Sequence, residues 1–316
     1  MRQADLGRAI TYRRAAGPED FAPTYELFLA AANDLRARSH RPRLDDTIAR
    51  RTRALAFREH AWRNDVGGFW IAERNGERVG FAIATARPRF WHLNALHVMP
   101  EWQAMGIGRE LLRRCLEYGR GPGVVSTVIS EAAQPVSNAL YARHGMYQWL
   151  PLLHVECGTF RSRLPPGRRA PAVSIGRSDE ATLSVLDRID AAVLGFTRSV
   201  DHRFWIGLPD QMLLLLLGTG DEPSSYAYIS RFGGIGPCSV RSPRQWPLLL
   251  AQSIALAAEH GIDRVSLVVP GVASTALDYL LNRAAARYDV SMTLLLSSRP
   301  FGRLNRYLLP ASDALF

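Results

Sequence analysis

The sequence predicts an α/β (α+β) protein with two similar domains in tandem, each a mixed central sheet flanked by helices. Two observations lead to this prediction. Apolar segments of strand length alternate with longer segments in which apolar residues recur at helical spacing, and this order occurs twice along the chain. The chain has 316 residues, of which 47 % are apolar, and this is enough for two buried cores.

A segment rich in proline and arginine divides the chain. Residues 161–172 contain three prolines and a glycine, which disfavour regular structure, and four arginines with no acidic residue. We therefore predict a first domain over residues 1–160, a linker over 161–172 and a second domain over 173–316.

The first half opens with a predicted strand over residues 9–14. Gly17-Pro18-Glu19-Asp20 then indicates a helix start, because proline favours the first turn and acidic side chains favour the positive end of the helix dipole. Asp45 or Asp46 can cap a second helix that runs to about Trp62.

Asn75-Gly76 favours a hairpin turn between the strands on either side of it. In the predicted helix 103–118, four apolar residues share one face: Leu111, Leu112, Cys115 and Leu116. The remaining predicted strands are 69–73, 79–86, 91–98, 124–129 and 147–155, and the remaining helices are 103–118 and 135–143.

The second half repeats this order more loosely. Its predicted strands are 173–176, 211–217, 226–230, 265–269 and 290–297. Its predicted helices are 180–193, 247–259 and 274–287. The repeat is one of pattern rather than of residues.

Composition excludes several classes of protein. All 39 basic residues are arginine, so lysine-based chemistry (a Schiff base, a pyridoxal-phosphate lysine, a P-loop) is excluded. Cys115, Cys157 and Cys238 are isolated, which argues against both a disulfide framework and a structural metal site. No apolar stretch is long enough to span a bilayer and no secretory signal is visible, so we expect a cytoplasmic protein without membrane association.

The net charge of +10 is unevenly distributed, with +6 over residues 1–160, +4 over residues 161–172 and none over residues 173–316. Nine arginines against three acidic residues occur between Arg36 and Arg63. This stretch lacks the interleaved aromatic residues of a nucleic-acid-binding surface, so a solvated helical face is the preferred interpretation. A rim that attracts an anionic cofactor or substrate is the functional alternative.

The informative motif follows the strand that ends at Val98. Pro100 breaks this strand, and Gln103-x-x-Gly106-x-Gly108 then turns into a helix. Such a turn leaves backbone N–H groups without partners at the positive end of the helix dipole, where they can hold an anion. The two glycines allow phosphate oxygens to approach the backbone. The spacing is neither that of a P-loop nor that of a dinucleotide-binding fold.

This motif, preceded by Leu-x-Val-x-Pro, resembles motif A of the GNAT superfamily, the GCN5-related N-acetyltransferases. Residues 137–146, Ser-Asn-Ala-Leu-Tyr-Ala-Arg-His-Gly-Met, resemble the motif B helix of that family, with Met146 where phenylalanine is usual. The resemblance covers residues 9 to 157. It implies a GNAT-like fold for each domain and acetyl-CoA, or another acyl-CoA, as co-substrate with no metal.

The resemblance also implies which residues hold the cofactor. The pantetheine arm would pair with the backbone of the fourth strand and face Asn138. The pyrophosphate would sit on the N–H groups of the turn. The implied cofactor-binding residues are Leu96, His97, Val98, Gln103, Ala104, Met105, Gly106, Ile107, Gly108, Arg109 and Asn138.

Tyr141 matches the tyrosine of the family that acts as general acid on the departing thiolate. His92 lies where the histone-acetylating branch has a glutamate, and is a candidate base. Asn94 lies on the same face by alternation and could hold a water relay, whereas His97 is expected on the opposite face. Two weaker base candidates are Glu73 and Glu101, and Cys115 is a poor nucleophile because it is expected to be buried.

The second domain is expected to be a degenerate, catalytically silent copy. It has no Gly-x-Gly at the corresponding turn, where Pro243 and Pro247 remove N–H donors. Its last helix has no tyrosine at the place of Tyr141, since Tyr279 falls two residues early. Residues 233–236, Gly-Gly-Ile-Gly, resemble a phosphate loop only superficially because a strand-like run follows them.

These features predict an acyl-CoA-dependent N-acyltransferase that transfers an acetyl group to a primary amine by direct attack in a ternary complex. The acceptor would be a small molecule or a peptide, with an anionic group compatible with the arginines of Phe21–Trp62. A non-catalytic acyl-CoA sensor or interaction module is the alternative, and nucleic acid is not the favoured partner. The chain is expected to be a monomer that acts as a pseudo-dimer, or a homodimer.

Overall fold

The computed structural model describes residues 9–159, 174–175, 179–217, 223–310 and 315–316. The predicted linker, residues 161–172, lies outside the described residues. The chain divides into two compact units, Met1–Val128 and Ile129–Phe316. Two units were expected, but the boundary between them lies about thirty residues earlier than the domain boundary that the sequence suggested.

The first unit contains the first five strands and three helices, and its last strand ends beyond Val128. Their bounds are β1 Thr11–Arg14, α1 Phe21–Arg38, α2 Ile48–Asp65, β2 Phe69–Arg74, β3 Glu77–Arg87, β4 Phe90–Val98, α3 Ile107–Glu117 and β5 Val125–Glu131. The sheet order is β1-β2-β3-β4-β5, antiparallel except for the parallel pair β4–β5.

Helices cover both faces of this sheet. The predicted hairpin turn is confirmed, because Asn75 and Gly76 both have positive φ between β2 and β3. Residues 79–85 of β3 are buried without alternation, as expected for a strand that is covered on both sides. The predicted inner face of α3 is also confirmed, since Leu111, Leu112, Cys115 and Leu116 are all buried.

Helix α3 begins at Ile107, four residues later than predicted. Ala104 and Gly106 have left-handed φ values of 63° and 83°, which cannot belong to a right-handed helix. The segment from Gln103 to Gly106 is therefore a loop that leads into the first turn of α3, and Gly106 is the residue just before the helix.

The second unit begins within β5 and contains five helices and eight further strands among its described residues. Their bounds are α4 Pro135–Arg143, β6 Gln148–Gly158, β7 Ser174–Ile175, α5 Glu180–Val193, α6 Ser199–Gly207, β8 Gln211–Leu217, β9 Pro223–Ser230, β10 Ile235–Val240, α7 Trp246–Glu259, β11 Arg264–Pro270, α8 Ser274–Asn282, β12 Arg287–Ser297 and β13 Tyr307–Leu308. The sequence predicted neither α6 nor β13, and at β10 it indicated only a strand-like run after Gly236.

Strand β6 explains the position of the boundary between the units. It pairs antiparallel with β11 on one side and with β12 on the other, for example Val155 with Leu267 and with Tyr288. Both partners belong to the second unit, although β6 directly follows the motif B helix α4. A second sheet of this unit has the order β13-β10-β9-β8-β7.

No helix among the described residues combines the length and apolar character needed to cross a membrane. Within the same residues, no group of three or more His, Cys, Asp or Glu side chains is arranged to hold a metal ion.

A buried carboxylate ties the start of α1 to the sheet. Asp20 is fully buried and accepts hydrogen bonds from Arg13 at 2.7 and 2.8 Å, from Arg78 at 2.9 Å and from the Ala16 N–H at 2.8 Å. Burial alone would raise the pKa of Asp20, but the hydrogen bonds from Arg13, Ala16 and Arg78 lower it to about 2. The ionised carboxylate therefore stabilises the folded state.

We expect Asp20→Asn to lower the free energy of unfolding by about 3 kcal/mol at neutral pH, because it leaves Arg13 and Arg78 without their shared anion. The pKa of Asp20 is lower in the folded chain than in the unfolded chain. Its contribution is therefore complete above about pH 5 and is lost as the pH falls from about 4 to 2. Urea denaturation at several pH values measures both effects.

Asp34→Asn is the matched control, since Asp34 forms an exposed pair with Arg38 one helical turn away. It should change the free energy of unfolding by less than about 0.5 kcal/mol. An equal loss in both variants would contradict the role given to Asp20.

Candidate functional site

The turn after β4 is held by short-range hydrogen bonds. The Met99 N–H donates to the Val79 carbonyl at 2.9 Å, and a single 3-10 turn, Pro100–Trp102, follows. The Gln103 side-chain Nε2 donates to the Val98 carbonyl at 3.1 Å, which links the loop to the end of β4. The loop then has a defined path into α3.

The first N–H groups of α3 have no acceptor among the described residues. The first bond of the helix runs from the Glu110 N–H to the Gly106 carbonyl at 3.1 Å, so the amides of Ile107, Gly108 and Arg109 precede the hydrogen-bonded turns. They lie at the positive end of the helix dipole. A side chain placed on Gly108 would meet only Val98, at 3.7 Å, so this end of the helix is open to a ligand.

Strand β4 separates from β5 halfway along its length. The two strands pair in parallel from Phe90 to Leu93, and the described residues show no partner for the remaining part of β4 on that side. The separation begins at a bulge, because Leu93 pairs with Ala84 and Ala95 with Ile83, so Asn94 is the extra residue of β4 at this point. The backbone edge that contains Leu96, His97 and Val98 is therefore available to an extended ligand.

The bulge corrects one prediction. Simple alternation placed His92 and His97 on opposite faces of the sheet, but His92 pairs with Thr85 and His97 with Phe81. Thr85 and Phe81 are four residues apart on β3, so both histidines lie on the same face. The extra residue, Asn94, reverses the alternation beyond it. Asn94 is itself the bulged residue, so strand alternation does not determine whether it shares a face with His92.

His92 is buried and its tautomer follows from its hydrogen bonds. Its Nδ1 lies 2.8 Å from Thr127 Oγ1, and the Thr127 hydroxyl donates to the Trp91 carbonyl at 3.0 Å. A hydroxyl has only one proton to donate, so Thr127 must accept from Nδ1–H. In the neutral ring, Nε2 is then the basic nitrogen. No sequence motif marks Thr127, and only the pairing of β4 with β5 places it beside His92.

His97 is a poor base. Burial and, to a smaller extent, the nearby Arg58 guanidinium lower the pKa of His97 to about 4. Its ring packs against Phe28 at 5.1 Å and Phe81 at 5.4 Å between centroids. The imidazole is therefore neutral at physiological pH and has an apolar environment.

Two other candidate catalytic groups, the Cys115 thiol and the Glu73 carboxylate, already have bonding partners within the chain. The Cys115 thiol donates to the Gly68 carbonyl at 3.3 Å, and burial raises its pKa far above the usual range. Glu73 is bound by Arg13 Nη2 at 2.7 Å. Glu101 is exposed on the turn after β4.

Tyr141 and Asn138 belong to helix α4 of the second unit, whereas the other predicted site residues belong to the first. Burial raises the pKa of Tyr141 well above its usual value, and a hydrogen bond with Ser137 lowers it only in part. The phenol is therefore protonated at neutral pH. Asn138 donates from Nδ2 to the Glu131 and Ala132 carbonyls at 3.2 and 3.4 Å, while its buried Oδ1 has no partner among the described residues.

The second unit contains a similar separation of two strands. Strands β10 and β11 meet in one parallel bridge, Gly234 with Ser266, and β10 has a bulge between Ile235 and Cys238. Here the chain itself occupies the space. The segment Tyr307–Leu309, which we call the filling segment, pairs with β10 through Leu308 and Cys238 and bridges β11 through Leu309 and Val268.

A buried ion pair holds the filling segment. The Tyr307 hydroxyl accepts from Arg198 Nη1 at 2.9 Å, and Arg198 Nε binds Asp190 at 2.5 Å. Burial would raise the pKa of Asp190, but Arg198, His202 and Tyr226 together lower it. Asp190 therefore remains ionised and keeps the guanidinium in place.

The turn before α7 also differs from the turn before α3. Pro247 lies in the first turn of α7, and the preceding Ser242 N–H already donates to Gln245 Oε1 at 3.0 Å. This helix start therefore has fewer free N–H groups than that of α3, as the prolines in the sequence predicted.

Comparison with known proteins agrees with this geometry. Residues 29–146 match the Acetyltransferase (GNAT) family. None of the curated protein sequences resembles the chain significantly.

Solved structures are similar over nearly the whole chain. A putative acetyltransferase from Pyrococcus horikoshii has 20 % identity and a TM-score of 0.71, with 96 % of each chain covered. A GCN5-related N-acetyltransferase from Sphaerobacter thermophilus has 16 % identity and a TM-score of 0.61, with 94 % of this chain and 98 % of the other covered.

Saccharomyces cerevisiae N-myristoyltransferase, solved with bound myristoyl-CoA, has 9 % identity and a TM-score of 0.60, covering 96 % of this chain and 84 % of the other. At sequence identities of 20 % or less, the similarity to these structures shows a shared fold and nothing more. The sequence match over residues 29–146, the open amides before α3 and the separation of β4 from β5 agree, and this segment of the chain is similar to the GNAT family.

Proposed function

We propose that the chain is an acyl-CoA-dependent N-acyltransferase that transfers an acetyl group from acetyl-CoA to a primary amine. The observation that carries this proposal is the combination, in one unit, of an open strand edge on β4 and unpartnered amides at the start of α3. An extended arm can pair with the strand edge, and a diphosphate at its end can accept from the amides. Coenzyme A has both parts.

Each part of the cofactor then has defined partners. The pyrophosphate accepts from the backbone between Gln103 and Arg109, and the pantetheine arm pairs with Leu96–Val98. The resemblance assigns Asn138 to the same arm. Its buried, unpartnered Oδ1 supports this assignment, because such an oxygen requires a donor such as a pantetheine amide.

The chemistry requires two proton transfers. The amine nitrogen attacks the thioester carbonyl, and the tetrahedral intermediate collapses with cleavage of the C–S bond. We assign His92 Nε2 as the base that takes the proton from the amine, directly or through a water held by Asn94. Tyr141 returns a proton to the thiolate. Its raised pKa supports a donor role, since the phenol keeps its proton until a stronger base is formed.

We propose that the second unit does not bind acyl-CoA in this mode. The filling segment Tyr307–Leu309 takes the hydrogen-bonding positions on β10 that a pantetheine arm would need. The prolines and the bonded Ser242 amide before α7 weaken the phosphate site. The first unit then supplies the cofactor cradle, and the second is a degenerate copy of the fold.

Titration calorimetry of the full chain with acetyl-CoA should give one site per chain. Gly106→Trp should abolish binding, because a large side chain beside the amides of α3 blocks the diphosphate. Gly76→Trp is the control, since Gly76 has a similar φ of 81° with open space in the hairpin. Two sites per chain, or full binding by Gly106→Trp, would contradict the proposed cradle.

Tyr141→Phe should lower turnover by about 10²- to 10⁴-fold, the range of a general acid, with little change in KM for acetyl-CoA. Tyr147→Phe removes the same hydroxyl from an exposed position and should leave turnover unchanged. The assay is thiol release from acetyl-CoA. Equal activity of both variants would exclude Tyr141 as the acid, and binding of acetyl-CoA without turnover on any amine would favour the sensor alternative.

His92→Gln should lower kcat by about 10²- to 10⁴-fold with acetyl-CoA affinity retained, because it removes the base. Thr127→Val should lower kcat by a smaller factor, since it removes the acceptor that sets the tautomer of the ring. Steady-state kinetics with saturating acetyl-CoA measures whether kcat falls more in His92→Gln than in Thr127→Val. A greater loss in Thr127→Val than in His92→Gln would show that Thr127, rather than His92, is the important group.

A further inference from the structure

Arg58 is a buried guanidinium on α2 with no acidic partner among the residues that the structure describes. It is 5 % exposed. Its Nε donates to Thr24 Oγ1 at 2.9 Å, its Nη1 to the Ala54 carbonyl at 3.0 Å and its Nη2 to the Thr24 carbonyl at 3.1 Å. All three acceptors are neutral, so within the described residues no hydrogen-bonded anion compensates the charge.

The other surroundings of Arg58 are also uncharged. The guanidinium lies over the Tyr25 ring at 5.7 Å and the Phe81 ring at 5.3 Å. The neighbouring His97 is neutral, as described above. The carboxylate of Asp46 reaches the Tyr25 hydroxyl at 2.8 Å, but its ion pair is with Arg51 at 2.7 Å.

This arrangement differs from the other buried arginines of the described chain. Arg87 is paired with Asp65 at 3.0 Å, and Arg198 with Asp190 at 2.5 Å. Removing a cation from water without a counterion is unfavourable, so folded proteins rarely contain one. Burial lowers the pKa of Arg58 to about 10, so the side chain is still charged at neutral pH. None of the ion pairs of the described residues includes Arg58.

The position of Arg58 connects it with the proposed chemistry. Its guanidinium stacks on Phe81, which pairs with His97 across β3 and β4. Phe81 and Thr85 share one face of β3, and Thr85 pairs with His92. Arg58 therefore lies against the sheet face that carries the proposed base, within the helical layer of α1 and α2.

We propose that Arg58 binds a carboxylate on the acceptor, so that the substrate is an amino acid or peptide with both a primary amine and a carboxylate. A guanidinium has five N–H groups, and three are used by Thr24 and Ala54. The two that remain can bind a carboxylate, and the acceptor supplies the missing charge when it binds. This inference rests on the proposed N-acyltransferase function and specifies its substrate class.

The first test uses the unmodified full chain and matched acceptors. Glycine, β-alanine and γ-aminobutyrate, and dipeptides with each of them at the C-terminus, are compared with the corresponding carboxamides in the thiol-release assay. At least one carboxylate should exceed its carboxamide in kcat/KM by about 10- to 100-fold, the range of a charged hydrogen bond. Equal or better use of every carboxamide, or a preference for an aminoalkyl phosphate, would overturn the assignment.

The second test uses variants at Arg58. Arg58→Gln should raise KM for the preferred carboxylate by about 10- to 100-fold, change kcat less, and leave the carboxamide and acetyl-CoA affinities unchanged. The KM of Arg58→Lys for the carboxylate should lie between those of the unmodified chain and Arg58→Gln, because lysine keeps the charge but not the planar, bidentate guanidinium. Arg63→Gln is the control, since Arg63 is exposed on the same helix and paired with Glu59. Equal losses for carboxylate and carboxamide would indicate a structural role only.

A third measurement does not depend on the folding of any variant. Propionate and butyrate, which lack an amine, should inhibit the unmodified chain competitively against the amine and not against acetyl-CoA. Absence of such inhibition, with normal acylation of amines, overturns the role of Arg58 alone. Failure to bind acetyl-CoA or to acylate any amine overturns the proposed function itself, so the two failures are distinguishable.

Discussion

The separation of β4 from β5 after Leu93 is the constraint on which the candidate site depends. Parallel pairing holds the two strands together from Phe90 to Leu93, and the bulge at Asn94 ends it. A strand edge in the middle of a sheet is normally paired, because unpaired backbone groups are costly to bury. The open edge beyond Asn94 therefore indicates a ligand with its own backbone-like donors and acceptors. The same bulge brings His92 and His97 to one face.

The second unit shows what happens when such a separation is filled from within. Tyr307–Leu309 provides the missing strand between β10 and β11. The hydroxyl of Tyr307 is anchored by Arg198, whose charge is balanced by Asp190. The backbone groups of β10 are thus satisfied without a ligand. Among the described residues, the edge of β10 is paired within the chain, whereas the corresponding edge of β4 beyond Asn94 is not.

The exclusive use of arginine makes the pairing of each buried cation informative. Arg13 and Arg78 share Asp20, and their bonds connect the sheet to the start of α1. These pairs are complete within the chain and support the structure. Arg58 is as buried as a structural arginine, but it has no acidic partner in the described part of the chain. Arg58 is therefore a buried cation that resembles one half of an ion pair, whereas Arg63 on the same helix is exposed and paired with Glu59.

The sequence alone determined the order of the strands and helices up to β6, the glycine-containing turn before α3 and the family resemblance. These features depend on local spacing: apolar periodicity, the turn at Asn75–Gly76 and the Gly106-x-Gly108 motif are all encoded within a few residues. The inner face of α3 and its amide-rich start follow from that spacing. The smaller number of free N–H groups before α7 was also predicted, from its prolines.

Only the tertiary structure decided which residues share a face or a sheet. The bulge at Asn94 adds one residue against β3, which no local pattern reveals, and it reversed the expected orientation of His97. The assignment of β6 to the second unit, the filling of the groove by Tyr307–Leu309 and the tautomer of His92 set by Thr127 all depend on partners far along the chain. Such pairings are chosen by the packing of complete elements, so the sequence pattern of a single segment cannot specify them.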